Sequence, residues 1–126
     1  MMSLDAIGII SADLQKSVEF YKLLGIELKE AGGAEHLEGK TETGLRIMID
    51  SVELMKKINP QWIKPIGVGI VLCFKQESAN TVNELYAKIV ESGFKSSKEP
   101  WDAFWGQRYS SVLDPDGNQI DLFAEL

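Results

Sequence analysis

The chain has 126 residues, of which 44% are hydrophobic and 25% charged, and its formal net charge at pH 7 is −6. This length and composition exclude a disordered or fibrous chain and provide a core that needs no metal or disulfide for folding. The acidic balance argues against nucleic acid or an anionic membrane as a partner, because both would need clustered Lys and Arg. No apolar stretch reaches the about 18 residues of a membrane span and the N-terminus lacks signal-peptide features, so we predict a cytoplasmic protein.

The first half of the chain predicts a strand, a helix and three more strands. Residues 6–10 form an apolar run typical of a buried strand, and the Ser-Ala-Asp sequence at residues 11–13 offers helix-capping oxygens. Apolar residues at helical spacing follow as far as Gly25, a residue suited to ending a helix. The three further strands are predicted at residues 26–30, 36–39 and 44–50.

The second half repeats this plan, with residues 51–64 as a connector. The apolar run 66–74 predicts a strand, the Ser-Ala-Asn sequence at residues 78–80 precedes apolar residues at helical spacing, and Gly93 ends the helix that they predict. The remaining strands are predicted at residues 94–97, 107–113 and 119–123, the last two joined by the Asp-Pro-Asp-Gly-Asn turn at residues 114–118. The sequence is therefore interpreted as an internal duplication.

Alternation along the hairpin strands predicts two different faces. Ile47 and Ile49 share one side of their strand, as do Ile120 and Leu122, and these are expected to pack beneath the helices. The opposite side carries Arg46, Met48, Asp50, Asp121 and Phe123. Because a solvated face seldom carries Met and Phe, we expect this side to line a concavity.

Four aromatic residues lie within ten residues just before the last hairpin: Trp101, Phe104, Trp105 and Tyr109. Such rings give a large contact area at low entropic cost and stack on flat ligands. A core or dimer-interface position is the commoner role of any single ring. As a group, interleaved with Pro, Asp, Gly and Arg, they do not fit one apolar layer, and we predict that they border the concavity.

Two residue types occur once each. Cys73 lies within an apolar run, so we predict a small buried core or wall residue and not a nucleophile. His36 can pair with Glu38 on one strand face, and we predict a surface or hydrogen-bonded residue and not a metal ligand.

Two segments resemble the glyoxalase, bleomycin-resistance and extradiol-dioxygenase superfamily, also called vicinal oxygen chelate proteins. Residues 4–21, with Asp13-Leu14, Ser17 and Phe20-Tyr21, are similar to the opening strand and helix of that family. Residues 113–123 are similar to its closing hairpin.

The resemblance implies an α+β fold with two β-α-β-β-β modules whose mixed sheets curve into a cup. The modules are expected at about residues 4–50 and 65–126, within one domain that covers residues 1–126. The resemblance further implies that two chains pair as a homodimer.

In enzymes of this family a divalent metal is held by His, Gln or Glu from equivalent strands of the two modules. The resemblance places the corresponding positions at Ala6, Gly69, Arg46 or Met48, and Asp121. Ala and Gly have no donor atom and a guanidinium repels a cation, whereas a catalytic metal normally needs three protein donors. We therefore predict no metal and no other cofactor, and we leave open whether the chain is an enzyme.

The aromatic segment also resembles that of the metal-free branch that contains bleomycin- and mitomycin-binding resistance proteins. We predict a protein that binds a small planar, partly aromatic compound, in antibiotic or toxin sequestration. The expected contacts are Trp101, Phe104, Trp105, Tyr109, Arg46, Met48, Asp121 and Phe123. One alternative is an enzyme of the same superfamily, a divalent-metal-dependent lyase, isomerase or dioxygenase. It requires either Asp121, His36 and Glu38 as an atypical metal site, or Arg46 and Asp121 acting without a metal. A third is a domain that only pairs with another protein.

Overall fold

The computed structural model describes residues 1–126 and divides the chain into two compact units, Met1–Pro65 (unit 1) and Ile66–Leu126 (unit 2). Each unit has its own four-stranded sheet with one parallel strand pair and two antiparallel pairs. The predicted α+β fold with mixed sheets is confirmed. No helix combines the length and the hydropathy needed to cross a membrane.

Unit 1 contains four strands and two helices. In chain order they are β1 (Ala6–Ser11), α1 (Leu14–Leu23), β2 (Lys29–Glu30), β3 (His36–Lys40), β4 (Arg46–Ser51) and α2 (Val52–Ile58). The strand order is β1-β4-β3-β2, with β1 parallel to β4. The chain can make this parallel connection because α1 returns it to the end of the sheet at which β1 begins, and β2, β3 and β4 then follow as antiparallel neighbours.

The helix signals of unit 1 act as predicted. The Asp13 side chain accepts a hydrogen bond from the backbone N–H of Lys16, which satisfies one of the free donors at the start of α1. After the helix, Gly25 takes a φ of 82°, a conformation that costs glycine little. Ile47 and Ile49 of β4 are buried, together with two aromatic rings of α1, which confirms the predicted inner face.

Unit 2 contains four strands and one helix. They are β5 (Val71–Lys75), α3 (Ala79–Glu91), β6 (Lys95–Ala103), β7 (Gln107–Leu113) and β8 (Gln119–Glu125). The strand order is β5-β8-β7-β6, with β5 parallel to β8. Ser78 and Thr81 form a capping box at the start of α3. The core of unit 2 includes Val82, Ile89, Val112, Ile120 and Leu122, each fully buried.

The predicted strand at residues 66–74 is wrong over its first five residues. Pairing with β8 begins only at Val71, and Ile66 and Ile70 are exposed. Gly67 has a φ of 81°, which lies outside the extended region that a strand requires. The apolar composition of this segment therefore does not reflect burial within unit 2.

Three further boundaries differ from the sequence prediction. The connector holds helix α2, which Ser51 caps by accepting from the backbone N–H of Leu54. Of residues 26–30, only the last two form a strand, β2. β6 extends to Ala103 and contains two register shifts, so Trp101 lies on a strand and not in a loop. Bulges of this kind are frequent on edge strands such as β6.

Candidate ligand-binding site

The sheet of unit 2 has one face against α3 and one open face. On β8, Ile120, Leu122 and Ala124 are fully buried on the helix side. Asp121 and Phe123 point the other way because side chains alternate along a strand. Their register partners on β7 are Ser111 and Tyr109. The open face is thus built by the centre of the last hairpin.

A continuous series of aromatic rings extends across this face. The ring centroids of Trp101 and Trp105 are 5.5 Å apart, and those of Trp105 and Tyr109 are 5.3 Å apart, both in edge-to-face contact. Phe104 lies edge-to-face with Trp105 at 5.0 Å, and Phe123 is stacked on Tyr109 at 6.0 Å. These are favourable aromatic geometries. Trp105 contacts three rings and is still 49% exposed, and Phe104 is 91% exposed.

Asp121 is the charged centre of the open face and is only 6% exposed. Its Oδ2 accepts from the Tyr109 hydroxyl at 2.6 Å. Its Oδ1 accepts from the Ser111 hydroxyl at 2.7 Å and from the Gln119 amide at 2.9 Å. Burial, and then the hydrogen bond to Asp121, raise the pKa of Tyr109 well above its ordinary value. The Tyr109 hydroxyl therefore stays protonated and donates.

Cys73 lies on the same face and is exposed, so the prediction of a buried residue is wrong. It is the register partner of Asp121 on β5, and its Sγ is 3.9 Å from the Tyr109 hydroxyl oxygen. The sequence prediction failed because β5 is an edge strand. One side of the apolar run faces α3, whereas the side that carries Cys73 faces outward.

Unit 1 places Arg46 and Met48 on the open face of its own sheet. Arg46 donates to Glu38 at 2.8 Å and to Asp5 at 2.7 Å. Met48 lies opposite Gly8 in the β1–β4 pairing. The predicted contact residues are therefore divided, with six in unit 2 and these two in unit 1.

His36 belongs to the same charged network of unit 1 as Arg46, because Glu38 bonds to both. Its Nε2 is 2.7 Å from Glu38 Oε2, and its Nδ1 is hydrogen-bonded to Asp50. These bonds, first that to Asp50 and then that to Glu38, raise the pKa of His36 above 6.5. His36, followed by Arg46, lowers the pKa of Glu38 below 4.5. The prediction of a hydrogen-bonded histidine is confirmed.

Sequence reasoning missed four partners in these networks: Asp50 beside His36, Asp5 beside Arg46, and Ser111 and Gln119 beside Asp121. The contact between Gln119 and Asp121 could have been predicted from the sequence, because residues two apart on a strand share a face. Ser111 follows from the register that the turn at residues 114–118 imposes, which pairs it with Asp121. The sequence signal that could have identified Asp50 as part of the network was its position on the same outward side of β4 as Arg46 and Met48.

The residues do not fit the metal that the family's enzymes hold. Gly69 lies outside β5, so the position opposite Asp121 is Cys73, and Ala6 has no donor atom. No group of three His, Cys, Asp or Glu side chains in the chain is arranged to hold a metal ion.

Comparisons with known proteins agree with this architecture. The family model described as Glyoxalase/Bleomycin resistance protein/Dioxygenase superfamily matches residues 3–122. The uncharacterized protein YraH of Bacillus subtilis (strain 168) is 30% identical over 134 residues, covering 99% of this chain and all of that protein.

Solved structures with the same fold have lower sequence identity. A glyoxalase/bleomycin resistance protein/dioxygenase family enzyme from Burkholderia phytofirmans PsJN is 19% identical, with a TM-score of 0.86 over 99% of this chain and 100% of that one. A superfamily member from Sphaerobacter thermophilus DSM 20745 is 25% identical, with a TM-score of 0.70 over 99% of this chain and 98% of that one. This chain belongs to the glyoxalase/bleomycin resistance protein/dioxygenase superfamily.

Proposed function

We propose that this protein binds a small planar, partly aromatic compound on the open face of unit 2, without a metal, and thereby lowers the free concentration of that compound. Sequestration of an antibiotic or toxin is the corresponding role. The observation that carries the proposal is the series of rings from Trp101 to Phe123, in which Trp105 has three ring contacts and remains half exposed. An aromatic surface of this kind is typical of a binding site.

The ring contacts also favour tight binding. Trp105 is held by Trp101, Phe104 and Tyr109 in the free protein, so little side-chain entropy remains to be lost when a ligand stacks on it. The hydrogen bond from Trp105 Nε1 to Gln107, at 2.8 Å, further fixes the ring. Tyr109 is fixed in the same way by Asp121. Flat ligands gain most from such rigid stacking surfaces.

Tryptophan fluorescence tests the proposal. The chain has three tryptophans, of which Trp62 lies in unit 1 and the other two in the aromatic series. In a Trp62→Phe background, mitomycin C and bleomycin are titrated against the variant and against the same variant carrying Trp105→Ala. We expect Trp105→Ala to weaken binding by about 1–3 kcal/mol, the usual value for a buried aromatic anchor, and Trp62→Phe alone to leave calorimetric affinity unchanged.

Two results would contradict the proposal. An unchanged dissociation constant in Trp105→Ala would remove the aromatic series from the site. Binding of one Zn²⁺, Ni²⁺, Mn²⁺ or Fe²⁺ per chain to chelator-stripped protein, lost in Asp121→Ala, would replace the metal-free role with a lyase, isomerase or dioxygenase. Calorimetry with elemental analysis measures this second result.

The proposal includes a cytoplasmic homodimer with no nucleic-acid or membrane partner. The net charge of −6 supports the last part, because it repels phosphate-rich surfaces. Light scattering checks the assembly, with an expected mass of twice the 14.0 kDa chain.

A further inference from the structure

Asp121 is a buried charge without a cationic partner. Its three hydrogen-bond donors are two hydroxyls and an amide, all neutral. The six ion pairs of the chain all involve other residues. Burying a carboxylate is costly unless its charge is balanced, and neutral donors only partly replace the lost hydration. The open face of unit 2 therefore has at its centre a carboxylate that no ion pair balances.

The carboxylate also has accepting capacity left. An ionised Asp offers about four lone-pair directions. Oδ1 accepts two of the three hydrogen bonds, whereas Oδ2 accepts only the one from Tyr109. Oδ2 is also the oxygen nearer the aromatic series, since Tyr109 is the ring that contacts both Trp105 and Phe123. A cationic group that approaches along these rings meets an acceptor with a lone-pair direction left over.

The rings themselves favour a positive charge. Aromatic faces are negative, and tryptophan attracts cations most strongly. Within this same series the Lys98 ammonium already lies 5.0 Å from the centroid of Trp101, so one member of the series makes a cation–π contact in the free protein. Trp105, in the middle of the series, has no such cation and is half exposed.

We propose that the compound bound by unit 2 carries an organic cation, a protonated amine or an N-alkylated aromatic ring, that lies against Trp105 and Tyr109 with Asp121 as its counter-charge. This inference rests on the proposed function and specifies the charge of its ligand. A single carboxylate with two rings suits an organic cation better than a metal ion, which needs several donors within coordination distance.

Two isosteric probes separate charge from shape: 1-methylquinolinium, which is cationic, and 1-methylnaphthalene, which is neutral. Calorimetric or fluorescence titration of the wild-type protein should give tighter binding of the cation by about tenfold or more, from one cation–π contact and the coulombic attraction of the Asp121 carboxylate. In Asp121→Asn the preference should fall to about twofold or less, with the affinity for 1-methylnaphthalene unchanged.

The matched control is Asp102→Asn, which makes the same change at a carboxylate of unit 2 that Arg108 already balances at 2.6 Å. It should retain the full preference for the cation. Circular dichroism of Asp121→Asn checks its fold, since the Tyr109 and Ser111 hydroxyls can rotate to accept from the new amide. The comparison of the two probes on the wild-type protein needs no variant.

The outcomes distinguish this inference from the function on which it rests. Equal affinity of wild type for the two probes would overturn the cationic ligand and leave planar binding intact. A preference for the cation that persists in a folded Asp121→Asn variant would overturn the role of Asp121 as counter-charge. Failure of both probes to bind at millimolar concentration, together with failure of the antibiotic titrations, would overturn both proposals.

Discussion

The two units share one sheet topology but present different chemistry on their open faces. In each unit, the third residue pair along the two parallel strands lies at the centre of the open face. This pair is Gly8 with Met48 in unit 1 and Cys73 with Asp121 in unit 2. On the neighbouring antiparallel strand, Glu38 is the partner of Met48 and Ser111 is the partner of Asp121. The backbone therefore fixes which positions face outward, and the residues at those positions decide what the face does.

The difference concerns how charge is balanced. On the unit 1 face, carboxylates and cations alternate, in the order Asp50, His36, Glu38, Arg46 and Asp5. On the unit 2 face, one buried carboxylate has only neutral donors and is surrounded by aromatic rings. A balanced and solvated network has little need of a ligand, whereas an unbalanced buried charge does. The duplicated fold has not duplicated the site.

The largest expected loss of stability comes from replacing Gly39, on the inner face of unit 1, by valine, the residue at the matching position of unit 2. Gly39 pairs with Ile47 as Val112 pairs with Ile120. A Cβ at Gly39 would lie 2.5 Å from the Glu27 backbone oxygen, so Gly39→Val forces the backbone to move. We expect a loss of about 2–3 kcal/mol in the free energy of unfolding, as for overpacked cores, measured by urea denaturation.

The control for this substitution is Gly8→Ala on the open face of the same unit. The nearest atom to its added Cβ is the Met48 methyl carbon, at 3.9 Å, an ordinary contact distance. Stability should change much less than in Gly39→Val. If the two variants lose equal stability, the close approach of β3 to the Glu27 backbone is not what requires glycine, and the inner faces of the two units are more alike than the structure indicates.

The sequence predicted the elements better than the site because periodicity is a local property. The Asp13 cap, the end of α1 at Gly25 and the inward position of Ile47 each follow from a few neighbouring residues. The capped helix α2 carried the same kind of signal at Ser51, but Asn59-Pro60 in that segment favoured a simple connector. The strand prediction at residues 66–70 rested on apolar composition alone and was wrong, because an apolar run does not show which strand it would pair with.

The site depends on contacts between residues far apart in the chain. Arg46 bonds to Asp5 across 41 positions and to Glu38 across 8. Neither bond follows from alternation, which gives the face of a residue and not its partner. Asp121 was recognised as facing outward, but its burial and its donors required the register of β7 against β8. Strand pairing, which a single sequence encodes weakly, is the missing information.

A second substitution pair compares the two faces at matched positions. Ser111→Ala removes one donor from the buried Asp121 carboxylate, and hydrogen bonds to charged groups contribute about 1.5–3 kcal/mol. Glu38→Gln removes one charge from the solvated network of unit 1, so its effect should be smaller and should diminish further in high salt. Urea denaturation at low and high NaCl measures both. Equal and equally salt-sensitive losses would show that the two carboxylates share one kind of environment.

The smallest expected effect is a pH dependence confined to unit 1. The pKa of His36 is raised above 6.5 by Asp50 and then by Glu38. Its stabilising contribution is therefore complete below pH 6.5 and is lost as the pH rises through the folded-state pKa. The pKa of Glu38 is lowered below 4.5, so its contribution is lost only as the pH falls through that lower value. The difference in melting temperature between wild type and His36→Gln should be largest between pH 4.5 and 6.5.

Proton NMR tests the same pairing directly, because His36 is the only histidine and gives a single titrating imidazole signal. The midpoint should lie above 6.5 in the wild-type protein and should fall in Asp50→Asn, which removes the first of the two carboxylate partners. Asp121→Asn is the matched change in unit 2 and should leave the midpoint unchanged, because the hydrogen bonds it alters are those to Tyr109, Ser111 and Gln119 of unit 2. A midpoint at or below 6.5 would mean that the carboxylates of unit 1 do not hold a protonated imidazole. The balanced face would then carry a net charge more negative by one at neutral pH, and the contrast with Asp121 would be one of burial alone.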